Sequence, residues 1–357
     1  MQIKDTRSNV KKRAENFING LNGDVYILGT NKYGICTVHW LQGVGIKIKG
    51  FVNDFVDESI YEGYEIIRTS DLKGNFNIIN CIIEGRSVEA RQNIFKLKPS
   101  SQIDYFALQL TFPRDLIQPD FLNNTDSISE DEDQYKKLFD KLNDEESKRT
   151  LENIVNFRLN REIDFLKNFK FRLNEQYFES FIKLGTHPTF VDGGGFDGGT
   201  SRQFAIKYPG YESIYYFEPN DLSFKNSQEN LSKIEKVKFF KKGLWNKSEV
   251  LYFDNTLGSA SKISKTGSDF IETISLDELA ISRLSFMKLD IEGAECKALE
   301  GARKTIIKNR PALAVCIYHN QKDFLKVPVL ALSFNPAYKI YLRHYTQGVF
   351  ETVMYFV

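Results

Sequence analysis

The sequence predicts an α/β protein made of two Rossmann-like units with a helical stretch between them, the second unit ending in an antiparallel hairpin. Three observations carry this. One order of elements occurs twice, from Asp24 to Asp54 and from Thr189 to Glu218: an apolar strand, a glycine-containing turn, a helix, and a strand closed by an acid. Between the copies the apolar residues Leu151, Val155, Leu159, Ile163 and Leu166 fall at the spacing of one helix face. The chain closes on two β-rich runs, Tyr338 to Tyr345 and Glu351 to Val357, joined by a short Thr-Gln-Gly turn. Alternation of strands and helices favours parallel sheets, to which the final runs add an antiparallel pair.

The first unit, expected over residues 1–125, opens with Asp24-Val-Tyr-Ile-Leu-Gly29. It continues through Asn31, Gly34 and a helix containing Trp40 and Leu41 to Ile48–Asp54, then Tyr64–Ile67 and Asn77–Ile83. A connector over 126–185 holds Pro113 and Pro119 at its approach, an acidic run from Glu130 to Asp133 that reads as a solvated helix entrance or loop, and the apolar helix face. Over 186–357, strands are expected at 189–192, 214–218, 237–240, 250–253, 286–290 and 312–318, with helices starting near Thr200, Asn220 and Ala294. Pro209-Gly210 and Asn309-Arg310-Pro311 are the stops.

Composition narrows the function classes. With 357 residues, 41% hydrophobic and 27% charged, the chain can bury a sizeable core and is neither disordered nor fibrous. Its net charge of +1 supplies no global field for gripping nucleic acid or an anionic membrane. The charged opening MQIKDTRSNVKKRAENF and the lack of a long apolar stretch lead to the expectation of a soluble, unexported, cytoplasmic chain with no integral membrane segment. Cys36, Cys81, Cys296 and Cys316 form no CxxC pair, so reduced, mostly buried thiols are expected. Four histidines are too few for a multi-histidine metal cage.

Val191-Asp-Gly-Gly-Gly-Phe-Asp-Gly-Gly-Thr200 lies between a strand and a helix, where glycine permits positive φ and close approach of a ligand to the backbone. No Gly-Lys-Ser/Thr follows, and an acid at the strand end would repel a pyrophosphate. Such a site suits a cation carrying a ribose, and S-adenosylmethionine, with its ammonium, sulfonium and ribose hydroxyls, fits. Glu218 in Phe-Glu-Pro-Asn lies 26 residues after Asp192, near the roughly 20 expected of a ribose-binding acid.

VDGGGFDGGTS, YYFEPN, GLW, ISLDEL, FMKLDIEGAE, LEGA and PALAVCIYH occur in the order found in FkbM-type methyltransferases, and Gln176-Tyr-Phe178 is similar to that family's lead-in. The resemblance covers about residues 135–357. It implies a class I methyltransferase sheet, S-adenosylmethionine as methyl donor, and O-methylation of sugars in surface glycan or natural-product biosynthesis. It implies that Asp192, Gly194 and Gly198 form the loop around the amino-acid part of the methyl donor, with Gly193 and Thr200 also among the residues that bind it, that Glu218 holds the ribose, and that Gly243, Leu244 and Trp245 flank the adenine. Gly199 stands where many relatives carry an acid, which implies a slightly altered loop.

Phe286-Met-Lys288-Leu-Asp290-Ile-Glu292 is a strand running into Gly293 and a helix, and alternation puts Lys288 and Asp290 on one face. Asp192, Glu218 and Asp290 are thereby expected at one crevice. His319 ends the next strand beside Asp290. A protonated hydroxyl is a poor nucleophile, so catalytic roles are expected for Asp290 and His319 as direct bases, or for Asp290, Glu292 and His319 around a hard divalent cation, or for hydrogen bonding alone. Lys288 is either a further catalytic group or a salt-bridge partner. His344, Tyr318, Tyr341 and Tyr345 are candidates for the acceptor pocket, while His39 and His187 read as structural.

In the first unit, Gly29-Thr-Asn31-Lys-Tyr-Gly34 replaces the middle glycine of the dinucleotide fingerprint by Asn31. That unit either retains a nucleotide or nucleotide-sugar site or serves as a docking or homo-oligomerisation module. The reading is an S-adenosylmethionine-dependent O-methyltransferase of a saccharide or nucleotide-sugar acceptor. Its competitors are a non-catalytic nucleotide-sugar-binding protein and an NAD-dependent sugar oxidoreductase, the latter disfavoured by Asn31.

Overall fold

The computed structural model describes residues 1–253, 263–264 and 269–357. They form two compact units, Met1–Glu132 with Arg149–Leu173 and Tyr345–Phe350 in the first, and Asp133–Lys148 with Asn174–His344 and Glu351–Val357 in the second. The stretch expected as a connector is thus divided, 149–173 belonging to the first unit and the rest from 133 onward to the second.

The first unit holds β1 (Asp24–Leu28), β2 (Gly50–Val52), β3 (Ile60–Tyr61), β4 (Tyr64–Ile67), β5 (Phe76–Asn80) and β6 (Ser101–Asp104) in the order β3-β4-β2-β1-β5-β6. All pairings are parallel except β3 with β4. Strand β5 is buried along its whole length, as a central parallel strand covered on both faces must be. Helices α1 (Arg7–Asn19), α2 (Lys32–Gly43), α3 (Ser87–Lys96) and α4 (Tyr105–Thr111) complete the alternation, with a short α5 (Ser127–Glu130) after them.

Strand order reverses between β1 and β5, where an open α/β sheet normally receives its ligand. Here that place is taken by the chain itself. Asn31 caps α2: its Oδ1 accepts from the Tyr33 and Gly34 N–H groups at 3.0 and 2.9 Å, and its Nδ2 donates to the Cys81 carbonyl. Ile35 N–H bonds the Asn31 carbonyl, so the first-turn donors that would grip a pyrophosphate are occupied. The Ile82 side chain stands 2.7 Å from where a Cβ on Gly29 would be, and the Asp54 carboxylate is held by Thr69. The sheet is Rossmann-like as expected, and the turn after β1 is closed by the chain's own side chains.

Helices α6 (Glu132–Lys141) and α7 (Glu145–Asn160) follow. The expected apolar helix face is present, with Leu151, Val155, Leu159, Ile163 and Leu166 all buried, but the α-helix ends at Asn160. Arg161 adopts a left-handed φ of 55°, and Ile163–Leu166 is a separate 3₁₀ turn.

In the second unit, β7 (Thr189–Gly193), β8 (Ser213–Phe217) and β9 (Val237–Phe240) precede a small sheet of β10 (Gly243–Leu244), β11 (Val250–Phe253), β12 (Ile263–Ser264) and β13 (Asp269–Ile274). The main sheet is completed by β14 (Phe286–Leu289), β15 (Ala312–Cys316), β16 (Ile340–His344) and β17 (Thr352–Phe356), in the order β16-β17-β15-β14-β7-β8-β9. Strands β15, β14, β7, β8 and β9 run parallel, and the expected terminal hairpin adds β17 antiparallel to β15 and β16. Helices α8 (Gly199–Lys207), α9 (Asp221–Asn230), α10 (Glu295–Gly301), α11 (Arg303–Asn309) and α12 (Asp323–Phe334) connect the strands. Strand 250–253 departs from the expected alternation: it pairs antiparallel with β13 in the small sheet. The reason is visible in its faces, since Val250 and Tyr252 are exposed and a strand of the parallel sheet must be covered on both sides.

Replacing Asn31 by Ala removes the cap of α2, and a loss of about 1 kcal/mol in the unfolding free energy of the first unit is expected. Urea denaturation of the variant and the parent chain measures it; an unchanged midpoint would show that the cap is dispensable.

Candidate active site

The carboxyl ends of β7, β8, β14 and β15 lie side by side, and the loop after β7 is shaped by what surrounds it. Gly194 has a φ of 73°, and a Cβ there would fall 1.8 Å from the Asp290 carbonyl oxygen. A Cβ on Gly195 would fall 1.9 Å from the Tyr216 ring. Both positions therefore demand glycine. The Gly194 and Gly195 N–H groups donate to the Phe217 carbonyl, tying the loop to the tip of β8. Gly198, at φ 85°, leads into α8, whose first turn carries Thr200 and Ser201.

Asp192 is fully buried. Its Oδ2 accepts from the Ser201 hydroxyl at 2.6 Å, and its Oδ1 lies 3.2 Å from Lys288 Nζ. Lys288 is itself 3% exposed and donates to the Gly194 carbonyl at 2.5 Å. Burial works against its charge, but Asp192 and Asp290 outweigh that and raise its pKa. Asp192 differs from expectation, its carboxylate being turned inward onto a cation instead of facing the crevice. Of the two roles expected for Lys288, the structure shows the salt-bridge partner, which braces the glycine loop.

Glu218, at the tip of β8, accepts from the Phe196 N–H at 3.0 Å and the Asn220 N–H at 2.8 Å. Its pKa is raised by burial, against the pull of those two N–H groups. Phe196 sits on the glycine loop with a left-handed φ of 52° and a largely exposed ring. Leu244 is buried 2.9 Å from the Cβ position of Gly193, so the Gly243-Leu-Trp245 segment does meet the loop. Trp245 Nε1 donates to Glu249, and the Trp245 carbonyl lies 2.0 Å from a Cβ position on Gly301, which accounts for that glycine in Leu-Glu-Gly-Ala.

At the tips of β14 and β15 a second group of charges assembles. Asp290 accepts from the Tyr177 hydroxyl at 2.8 Å and the Tyr318 hydroxyl at 3.2 Å. His319 Nε2 lies 3.5 Å from Asp290 and 3.6 Å from Glu292, and its Nδ1 lies 2.8 Å from the buried Glu295 carboxylate. Glu295 also accepts the Ile291 N–H. Burial alone would discharge the imidazole, but Glu295, Asp290 and Glu292 outweigh it and lift its pKa to about 9. His319 is therefore held mainly as an imidazolium at neutral pH by its three carboxylate neighbours.

Two contributors were missed by sequence reasoning. Tyr177, from the Gln176-Tyr-Phe178 segment, reaches Asp290 and the Cys316 thiol. Glu351, largely buried at the start of β17 with a φ of 69°, accepts from Gln176 Nε2. One oxygen each of Asp290 and Glu351 and the Cys316 sulfur lie within 4.8 Å of one another. The available signal for Glu351 was an acid set between the apolar pairs Val349-Phe350 and Val353-Met354. Other candidates lie elsewhere: the His344 ring is buried against Thr352 Oγ1 in the hairpin, Tyr341 stacks on Phe181 with centroids 4.1 Å apart, and Tyr345 belongs to the first unit.

Lys288→Met would leave Asp192 buried without its counter-charge, at an expected cost of about 3–5 kcal/mol, and adding Asp192→Asn should recover part of that loss. Denaturation of both single variants and the double variant measures the coupling; strictly additive losses would contradict it.

No curated protein matches this sequence. The crystal structure of the methyltransferase FkbM from Methylobacillus flagellatus KT is similar with a TM-score of 0.74 and 22% identity, covering 96% of this chain and 93% of that one, and so shares its fold. Weaker likenesses include an rRNA methylase from Streptococcus thermophilus (TM-score 0.32, 14% identity, 48% of this chain and 87% of that one). Another is Aeropyrum pernix fibrillarin in complex with natively bound S-adenosyl-L-methionine (TM-score 0.34, 10% identity, 52% and 74%). The family model described as the methyltransferase FkbM domain matches residues 185–345. Residues 185–345, which hold the glycine turn and the acids at adjacent strand tips, are thus similar to the methyltransferase FkbM domain.

Proposed function

We propose that the chain is an S-adenosylmethionine-dependent O-methyltransferase acting on a hydroxyl of a saccharide or sugar-containing acceptor. The observation that carries this reading is the convergence, at neighbouring ends of parallel strands, of a loop that tolerates no side chain at Gly194 and Gly195, a ribose-competent carboxylate at Glu218, and the polar group around Asp290. Glu218 fits the methyl donor, since it has lone pairs beyond its two N–H partners for ribose hydroxyls. When bound, the methyl donor supplies an electrophilic methyl on a sulfonium.

The chain's own residues do the rest. Lys288 and Asp192 fix the loop, Glu218 orients the ribose, and the exposed Phe196 ring borders the loop. Holding the acceptor oxygen in line with the methyl supplies much of the acceleration in such a displacement. The Asp290 and Glu292 carboxylates, at the strand tip, offer hydrogen-bond acceptors to the several hydroxyls of a sugar. The saccharide assignment draws on the similarity of the motifs to the sugar-methylating family.

The non-catalytic alternative is disfavoured by the ordered polar group at Asp290, which a mere holder of nucleotide does not need. Transfer of isotopically labelled methyl onto a panel of nucleotide sugars and glycans tests the proposal, and methyl-donor binding without transfer to any hydroxyl would favour the alternative. Glu218→Ala should weaken methyl-donor binding by calorimetry roughly ten- to hundredfold, the worth of about 1.5–3 kcal/mol for hydrogen bonds to a charged group. Unchanged affinity would place the ribose elsewhere, and NAD should give no heat with either protein.

A further inference from the structure

We infer that Asp290 and Glu351 form a carboxyl pair that shares a single proton and receives the proton of the acceptor hydroxyl during methyl transfer. This rests on the O-methyl transfer proposed above. The pair joins residues 61 positions apart in sequence, and the geometry that unites them is specific. Glu351 adopts a left-handed backbone that a non-glycine residue rarely takes, which turns it into the second unit at the start of β17. There Gln176 fixes one carboxyl oxygen, and the carboxyl group comes within 4.8 Å of Asp290 and Cys316.

Among the described residues, the groups that bear on Glu351 come from several elements. They are Asp290 and Lys288 at β14, Cys316 in β15, Tyr318 and His319 just beyond it, and Gln176 and Tyr177 ahead of β7. Two carboxyls this close do not both ionise freely, and the proton settles on the one with weaker support. Asp290 has the stronger support. Burial would raise its pKa, but Lys288, His319 and the Tyr177 hydroxyl outweigh that and hold it below the ordinary carboxylate range. Burial and the Asp290 charge instead push Glu351 up to about 7, against the pull of Gln176, His319 and Lys288. The Cys316 thiol is driven well above its ordinary value, first by burial and then by Asp290.

A base titrating near neutrality combines availability with proton affinity. As the acceptor oxygen's lone pair forms the new C–O bond, its proton passes to the pair, and the electrons of the broken C–S bond remain on the sulfur of the sulfonium methyl donor. Below about pH 7 the pair already holds its proton, and above it the pair is free to take one.

The test compares wild type, Glu351→Gln and Asp290→Asn by pH profile, methyl-donor calorimetry and side-chain carboxyl titration by ¹³C NMR. For wild type, kcat/KM should fall about tenfold per pH unit below pH 7. Glu351→Gln should lower kcat about a hundredfold, lose the limb near pH 7, and bind the methyl donor within threefold of wild type. Asp290→Asn should move the acid limb to lower pH, because Glu351 then ionises without a neighbouring anion. Wild-type kcat and an unshifted profile in Glu351→Gln would overturn the proposal, as would activity abolished by chelation and restored by Mg²⁺. If Glu351→Gln does not fold, the Asp290→Asn limb decides, and an unmoved limb overturns the proposal. A carboxyl titrating near 7 in wild type that transfers methyl to no hydroxyl would defeat the acceptor reading and the pair's catalytic role, leaving only the shared proton; transfer by wild type with no such carboxyl defeats the pair alone.

Discussion

The buried contact between Asp192 and Lys288 is the constraint from which the rest of the second unit's site follows. It joins adjacent strands β7 and β14, and through Ser201 and the Gly194 carbonyl it reaches helix α8 and the glycine loop. Two charges taken out of water are costly unless each is satisfied, and here both are: the carboxylate by a hydroxyl and an ammonium, the ammonium by a carboxylate and a carbonyl. The loop conformation is consequently fixed by the interior of the protein. Close approach of Gly194 to the Asp290 carbonyl then sets the spacing between the loop and the polar group at the tip of β14.

Around that brace the charges are graded. Nearest the loop the ion pair is internally neutral. At the tips of β14 and β15 one imidazolium sits among Asp290, Glu292 and Glu295, with Glu351 beyond Asp290. On the proposed reading, methyl transfer removes a sulfonium charge as a carboxylate becomes protonated, so opposite charges disappear together.

Much of this was legible in the chain because acids and histidine close apolar runs: Asp192, Glu218, Asp290 and His319 each stand where a strand stops, and parallel strands stop at one edge. Alternation also put Lys288 on the face of Asp290. What it could not give was direction across the sheet, since only the register of β14 against β7 sets Lys288 opposite Asp192 and turns that acid inward. Tyr177 and Glu351 escaped for a different reason. They arrive from a loop and from the start of an antiparallel strand, and no local pattern ties either to Asp290. His344 shows the reverse error: a polar residue in a hairpin suggested a pocket, whereas it is the hydroxyl of its cross-strand partner Thr352 that satisfies it.

The self-capped turn at Asn31 has a thermodynamic consequence for the first unit. A Rossmann-like sheet with an open cradle gains stability as its nucleotide accumulates, because ligand binds only the folded form. With Asn31 seated on the first-turn amides of α2 and Ile82 against Gly29, the fold supplies that contact internally. The first turn of α2 thus draws its stabilisation from a side chain of its own, worth about 1 kcal/mol for a cap of this kind.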